Sequence, residues 1–153
     1  MRAQKRVAVL QSSYIPWKGY FDIIHDVDTF IFYDEVQFTY QDWRSRNRIV
    51  ANGNLAWLTV PTGSSIKRTI NQVVLSDPRW QRKHWSTIRH AYTKARHFQE
   101  HAEFFEHLYL GTDWKSLSEM NQSITRQIAQ EVLGVQTEFR DSGEYGASGN
   151  KLD

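Results

Sequence analysis

Three arginines, Arg44, Arg46 and Arg48, alternate through the stretch "WRSRNRI". On an extended segment residues two apart share a face, so three guanidiniums in this spacing suit a bidentate grip on phosphate or carboxylate. Upstream, Asp34 and Glu35 follow the apolar run "TFIFY". A carboxylate there can serve as a general base, an amine binder or a metal ligand. Neighbouring carboxylates on a strand point to opposite faces, so adjacency alone does not make them an acid–base pair. Gln11 ends the first apolar run and brings an amide donor and acceptor; Ser12 and Ser13 allow close approach, and Gly19 opens the backbone to a ligand. His84 lies among apolar positions in "WQRKHWSTIRHAY", as a hydrogen-bonded core residue or as an acid–base group. Each feature also has a purely structural reading. The arginines can be a solvated hairpin edge, and the 11–19 loop can be covered by Tyr14 and Trp17.

Other chemistries are disfavoured. His97 and His101 are four apart in "HFQEH", but the arrangement is not a metalloprotease helix, so no metal site is read there. Gly143, Gly146 and Gly149 recur without a following Walker lysine. No serine occupies a G-x-S-x-G elbow and there is no cysteine, which removes thiol nucleophiles, disulfides and cysteine zinc sites. No cofactor is indicated. A net charge of +2 gives no basic field for nucleic acid, so the arginine–aromatic combination alone would have to carry that reading.

These residues need a scaffold, and 153 residues suffice for one domain with a core. The pattern predicts a strand over 6–11, a helix over 19–26 and a second buried strand over 29–33, a unit that favours parallel pairing. Asn52-Gly53-Asn54 between 48–51 and 55–60 signals a β-hairpin, and 70–76 reads as a further strand. Asp77 and Pro78 open a helix in which Trp80, His84, Ile88, Ala91 and Ala95 share a face. Further helices are expected over about 97–110 and 114–133, then a last strand over 137–140. The fold class is therefore α/β: a partly parallel sheet begun by a strand-loop-helix-strand unit, a β-hairpin insertion and a helical second half. One domain is expected over 1–140, with 141–153 a flexible Gly/Ser-rich tail. The four-residue apolar run near the start is shorter than a signal-peptide core and nothing approaches a membrane span, so the expectation is a cytoplasmic protein.

Taken together, "VAVLQSSYIPWKGYFDII", "DTFIFYDEVQFTYQDWRSRNRI", "WLTVP", "WQRKHWSTIRHAY" and "TDWKSLSEMNQSITRQIAQEVLG" resemble the WbqC-like protein family, collinearly and over nearly the whole chain. Members are linked with bacterial surface-polysaccharide gene clusters, including those for O-antigen. The resemblance implies a role in that biosynthesis, with transfer of an amino acid such as glycine to a sugar as the proposed reaction. The family pattern falls on Gln11, Tyr14, Trp17, Gly19, Asp34, Gln37, Trp43, Arg46, Asn47, Arg48, Lys83 and His84. Departures exist: Ser12 stands where members commonly have proline, and Leu10 where histidine or methionine is frequent. Related proteins continue past the position of Asp153. The resemblance thus implies that the tail opens a further region, or that a short form completes its sheet as a homo-oligomer.

On this resemblance, Gln11 and the Gly19 backbone orient a small-molecule donor, a nucleotide-sugar or an activated amino acid. Asp34 binds or deprotonates an acceptor amine, Arg46 and Arg48 hold phosphate or carboxylate, and His84 acts as acid or base. The competing reading is a non-catalytic sugar- or nucleotide-binding scaffold module using the same rings and arginines.

Overall fold

A computed structural model of the chain describes residues 4–146. Strands β1 (Val7–Leu10) and β2 (Thr29–Phe32) are joined across helix α1 (Lys18–Asp26) and pair in parallel, and β5 (Glu138–Asp141) adds parallel to β2, giving the order β1-β2-β5. Strands β3 (Arg46–Ala51) and β4 (Asn54–Thr59) form a separate antiparallel hairpin. Its turn places Asn52 at φ 51° and Gly53 at φ 75°, the double left-handed geometry for which Asn-Gly is favoured. Helices α2 (Arg79–Tyr92), α3 (Phe98–Leu110) and α4 (Leu117–Gln127) follow. The architecture is the mixed α/β fold expected, with its helices concentrated in the second half.

Two apolar clusters hold these elements. Tyr20 and Ile24 of α1 pack with Phe30 and Phe32 of β2, and with Ala129 and Val135, on one face of the parallel sheet. The opposite face leaves Val7 and Val9 half exposed. A larger cluster joins Tyr14, Phe38, Leu58 and Val60 to Trp80 and Trp85 of α2, Leu108 and Tyr109 of α3, and Leu117, Met120 and Ile124 of α4. Fully burying one such side chain contributes roughly 1.5–3 kcal/mol. Beyond Gln127 the helix widens into a π-helical turn, Ile128–Val132, in which Leu133 N–H donates to Ile128 C=O.

The segment expected as a strand over 70–76 is a correction. Ile70–Gln72 is a 3-10 turn, and only Val74 forms an isolated antiparallel bridge, to Ser116. Thr69 and Gln72 close a reciprocal capping box, and these side chains outcompete a strand ladder for the backbone. Ile70, Val73 and Leu75 are nonetheless buried. The helix expected from residue 114 begins at Leu117, capped by the Ser116 hydroxyl. Asp77 accepts from Arg79 N–H at 3.0 Å, two positions ahead of the first helical residue. Of the residues expected as a tail, Ser142–Tyr145 forms a 3-10 turn capped by Asp141, and residues from 147 lie outside the described ones. Among the described residues no helix is long and apolar enough to cross a membrane.

Candidate functional site

The hairpin alternates its side chains between two environments. Asn47, Ile49 and Leu58 turn inward, while Arg46, Arg48 and Trp57 share the outer face. The Arg46 guanidinium lies 4.1 Å from the Trp57 ring centroid. Arg48 lies 5.3 Å from Trp57 and 5.7 Å from Trp43. The two indoles are 5.8 Å apart, so cations and rings interleave along one surface. Arg44 does not join this row, contrary to the three-arginine alignment expected. It precedes β3, and its guanidinium turns inward to donate to the carbonyls of Gln11, at 3.3 Å, and Ser12, at 3.2 Å.

The loop after β1 is held open by these contacts. Ile15 has φ 40°, in the left-handed region that a β-branched residue seldom enters. Strain of this kind costs about 1–3 kcal/mol and persists only where surrounding contacts impose it. Here Asn47 Nδ2 donates to Ile15 C=O at 2.5 Å and to Tyr14 C=O at 3.4 Å, while Tyr14 N–H donates to Trp43 C=O at 3.0 Å. The Tyr20 hydroxyl donates to Gln11 C=O at 2.9 Å, tying α1 to the strand tip.

Between this loop, the carboxyl end of β1 and the segment around Trp43 opens a cleft of about 860 Å³. Gln11, Tyr14, Trp17, Trp43, Asn47 and Arg48 line it, together with Ser13, Tyr33 and Arg44. Its rings are presented to solvent: Trp17 is 70% exposed and Trp43 44%. Gly19 does not reach the cleft, because the Trp17 ring lies over it. A Cβ there would sit 1.8 Å from that ring. The glycine therefore seats an aromatic wall; it does not bare the helix start to a ligand.

Asp34 occupies a different position from the one expected of an exposed base. It is 1% exposed. Its Oδ1 accepts from Ser12 N–H at 2.8 Å, and its Oδ2 from the Ser118 hydroxyl at 2.5 Å and from Gln122 Nε2 at 3.2 Å. Gln122 Nε2 also reaches Asp141 Oδ2 at 2.8 Å, and Asn121 Nδ2 donates to Arg44 C=O at 2.8 Å. Ser118, Asn121, Gln122 and Thr125 are all buried, and Ser118, Asn121 and Gln122 fasten α4 to the tips of β2 and β5 and to both loops of the cleft. The sequence reading passed over this network. The signal was available: polar residues at 118, 121, 122 and 125 form one helical stripe beside the apolar Leu117, Met120 and Ile124.

His84 is buried, with Nε2 3.2 Å from Thr59 C=O and Nδ1 2.8 Å from the Tyr14 hydroxyl, which also contacts the Tyr109 hydroxyl. A carbonyl only accepts, so Nε2 carries the proton and Nδ1 accepts from Tyr14. Tyr14 must then accept from Tyr109, which gives the chain one direction. Burial lowers the His84 pKa to about 4, against the Thr59 contact that favours charge, and the nearby Lys83 lowers it further. Burial likewise raises both phenols. The imidazole is neutral at physiological pH and both nitrogens are engaged.

Lys83 and His84 border a separate recess of about 550 Å³ with Trp57, Asp77 and Arg79. Gln37 lies apart from both openings, exposed in an isolated bridge to Thr69. Arg46 does not line the cleft; it stacks on Trp57, which packs against the cleft residue Trp43. Among the described residues no group of three histidine, aspartate or glutamate side chains is placed to hold a metal. The cleft thus offers aromatic faces, a cationic rim and amide groups, an arrangement suited to gripping a polar, anionic small molecule with ring faces of its own.

The model of the WbqC-like protein family matches residues 11–153. An uncharacterized protein of Mycobacterium tuberculosis, Rv1507c, is 37% identical over 151 residues, which cover 97% of this chain and 65% of the relative. The chain therefore spans less than two-thirds of the length of the curated relative it matches. No solved structure matches it.

Proposed function

The chain belongs to the WbqC-like protein family, and from that premise we propose that it acts in bacterial cell-surface polysaccharide biosynthesis, O-antigen included. The cleft beside β1 takes the activated reactant, a nucleotide-sugar or an activated amino acid, and the reaction joins an amino acid such as glycine to a sugar, releasing the group that activated the donor. The observation that carries the reading is the pairing of exposed Trp17 and Trp43 with Arg48 around one cleft. Indole faces stack on sugar or base, and the guanidinium meets phosphate or carboxylate. In this reading Gln11 positions the ligand, and Asn47 and Asp34 act by holding the loop.

A second reading, a binding module without chemistry of its own, is favoured by one observation. Asp34 and His84, the expected acid–base groups, are buried and fully engaged with protein partners. Titration calorimetry with a panel of nucleotide-sugars and aminoacyl-adenylate analogues tests the cleft, followed by mass spectrometry for an aminoacylated sugar. Binding that falls about tenfold or more in Trp43→Ala and Arg48→Ala supports the cleft. Binding with no product from any donor–acceptor pair selects the module. No binding across the panel rejects both.

A further inference from the structure

Behind the wall formed by Tyr14, Asn47 and Arg48 lies a second opening, a groove of about 480 Å³ between the inner face of the hairpin and the α2–α3 corner. Its floor is apolar, built from Ile15, Ile49, Leu58, Ile88, Phe98 and Phe105. Its lip carries Arg48, Arg96, His97 and His101, and no carboxylate lines it. His97 is committed to Glu100, at 2.8 Å. Neither Arg48 nor Arg96 belongs to an ion pair among the described residues; Arg48 rests on Trp43 and Trp57.

We infer that this groove binds a small amphipathic anion, an aliphatic body on the apolar floor with a carboxylate or phosphate head between Arg96 and Arg48. The volume falls in the range of small-molecule sites. Charge decides the head group: guanidiniums without acidic partners at the lip favour an anion, while a neutral molecule would leave them unused and a cation would be repelled. The groove shares Arg48 with the neighbouring cleft, and the inference is separable from the function proposed there through Arg96, which the cleft lacks. If both sites are filled, their ligands are separated only by the shared wall of Tyr14, Asn47 and Arg48.

The test is titration calorimetry with decyl phosphate and decanoate below their micelle thresholds. Decanol, decyltrimethylammonium and inorganic phosphate are run alongside, with sedimentation velocity at each step. Saturable binding of at least one decyl anion is expected, weakened about tenfold by Arg96→Gln, the scale of one charge-assisted hydrogen bond. Ala95→Trp, at an exposed position on the groove, is expected to abolish binding while the circular dichroism spectrum stays unchanged. Decanol or the decyl cation binding as tightly as the anions would overturn the head-group assignment. Inorganic phosphate alone binding as tightly would overturn the apolar body. The absence of saturable anion binding would overturn the site, as would a dimer that both variants dissociate, because a second copy would then fill the groove.

Discussion

Asn47 Nδ2 donates to the carbonyl of Ile15 at 2.5 Å, binding the hairpin to the most strained backbone in the cleft loop. Asn47→Ala removes that bond and the weaker one to Tyr14. It is expected to destabilise the chain by about 1–3 kcal/mol, read as a lower urea midpoint. Ile15→Gly lets the same φ be adopted without a side-chain clash. The Asn47→Ala loss should therefore shrink in the Ile15→Gly background. Strict additivity of the two changes would show that the asparagine does not hold the strain.

Asp34→Asn keeps the size of the side chain but sets an amide against the donors of Ser118 and Gln122. The expected cost is about 1–3 kcal/mol, the scale for buried donors left without an acceptor. Because Ser12 N–H hangs on the same carboxylate, ligand binding in the cleft should weaken as the loop loosens. Full stability with lost binding would instead put Asp34 in contact with the ligand.

His84 makes stability depend on pH in a defined direction. Its pKa is about 4 when folded and about 6.5 in an unfolded chain, so the unfolded state binds more protons between those values. The contribution is complete above the unfolded value and is lost as pH falls toward the folded one. Between about pH 7.5 and about pH 5 the expected loss is about 2 kcal/mol. Carboxylates titrate nearby, so the quantity to measure is the difference between the parent and His84→Asn in urea unfolding at the two pH values. An identical pH dependence for both chains would refute the assignment.

Gly19→Ala should act on two properties in opposite directions. Alanine is a better helix residue by up to about 1 kcal/mol, which favours α1. Its methyl group meets the Trp17 ring and must push that wall aside. We expect an unchanged or slightly higher melting temperature, a shifted Trp17 indole resonance and weaker ligand binding. A Trp17 resonance that stays in place would show that the ring does not rest on the glycine.

The parallel unit, the hairpin and the helical second half were legible because each is written in short-range pattern. Val7–Leu10 and Thr29–Phe32 are compact apolar runs, and Asn52-Gly53 dictates its turn through the φ values it tolerates. The 70–76 segment misled because a short apolar run marks a buried segment whether or not a partner strand exists. Site residues were legible as residue types and only in part as a place. Gln11, Tyr14, Trp17, Trp43, Asn47 and Arg48 meet at one cleft, while Lys83 and His84 border another recess. The inward turn of Arg44 depends on the carbonyls of Gln11 and Ser12, more than thirty residues upstream, and the burial of Asp34 on α4, more than seventy residues downstream. No local pattern around Asp34 carries that partnership. The strained φ of Ile15 was equally out of reach, since its cause is a side chain 32 residues away.

The π-helical turn at Ile128–Val132 has a consequence for how the chain tolerates changes in length. An α-helix advances roughly 100° per residue, so one extra residue in a turn re-aims everything after it. Ile128 still faces the hairpin side, whereas Ala129 and Val135 face the sheet. Losing one residue there would restore ordinary pitch, leave the upstream stripe in place and swing the downstream one away from β2. Selection on chain length at that turn therefore comes from the parallel sheet, while the hairpin side is indifferent to it.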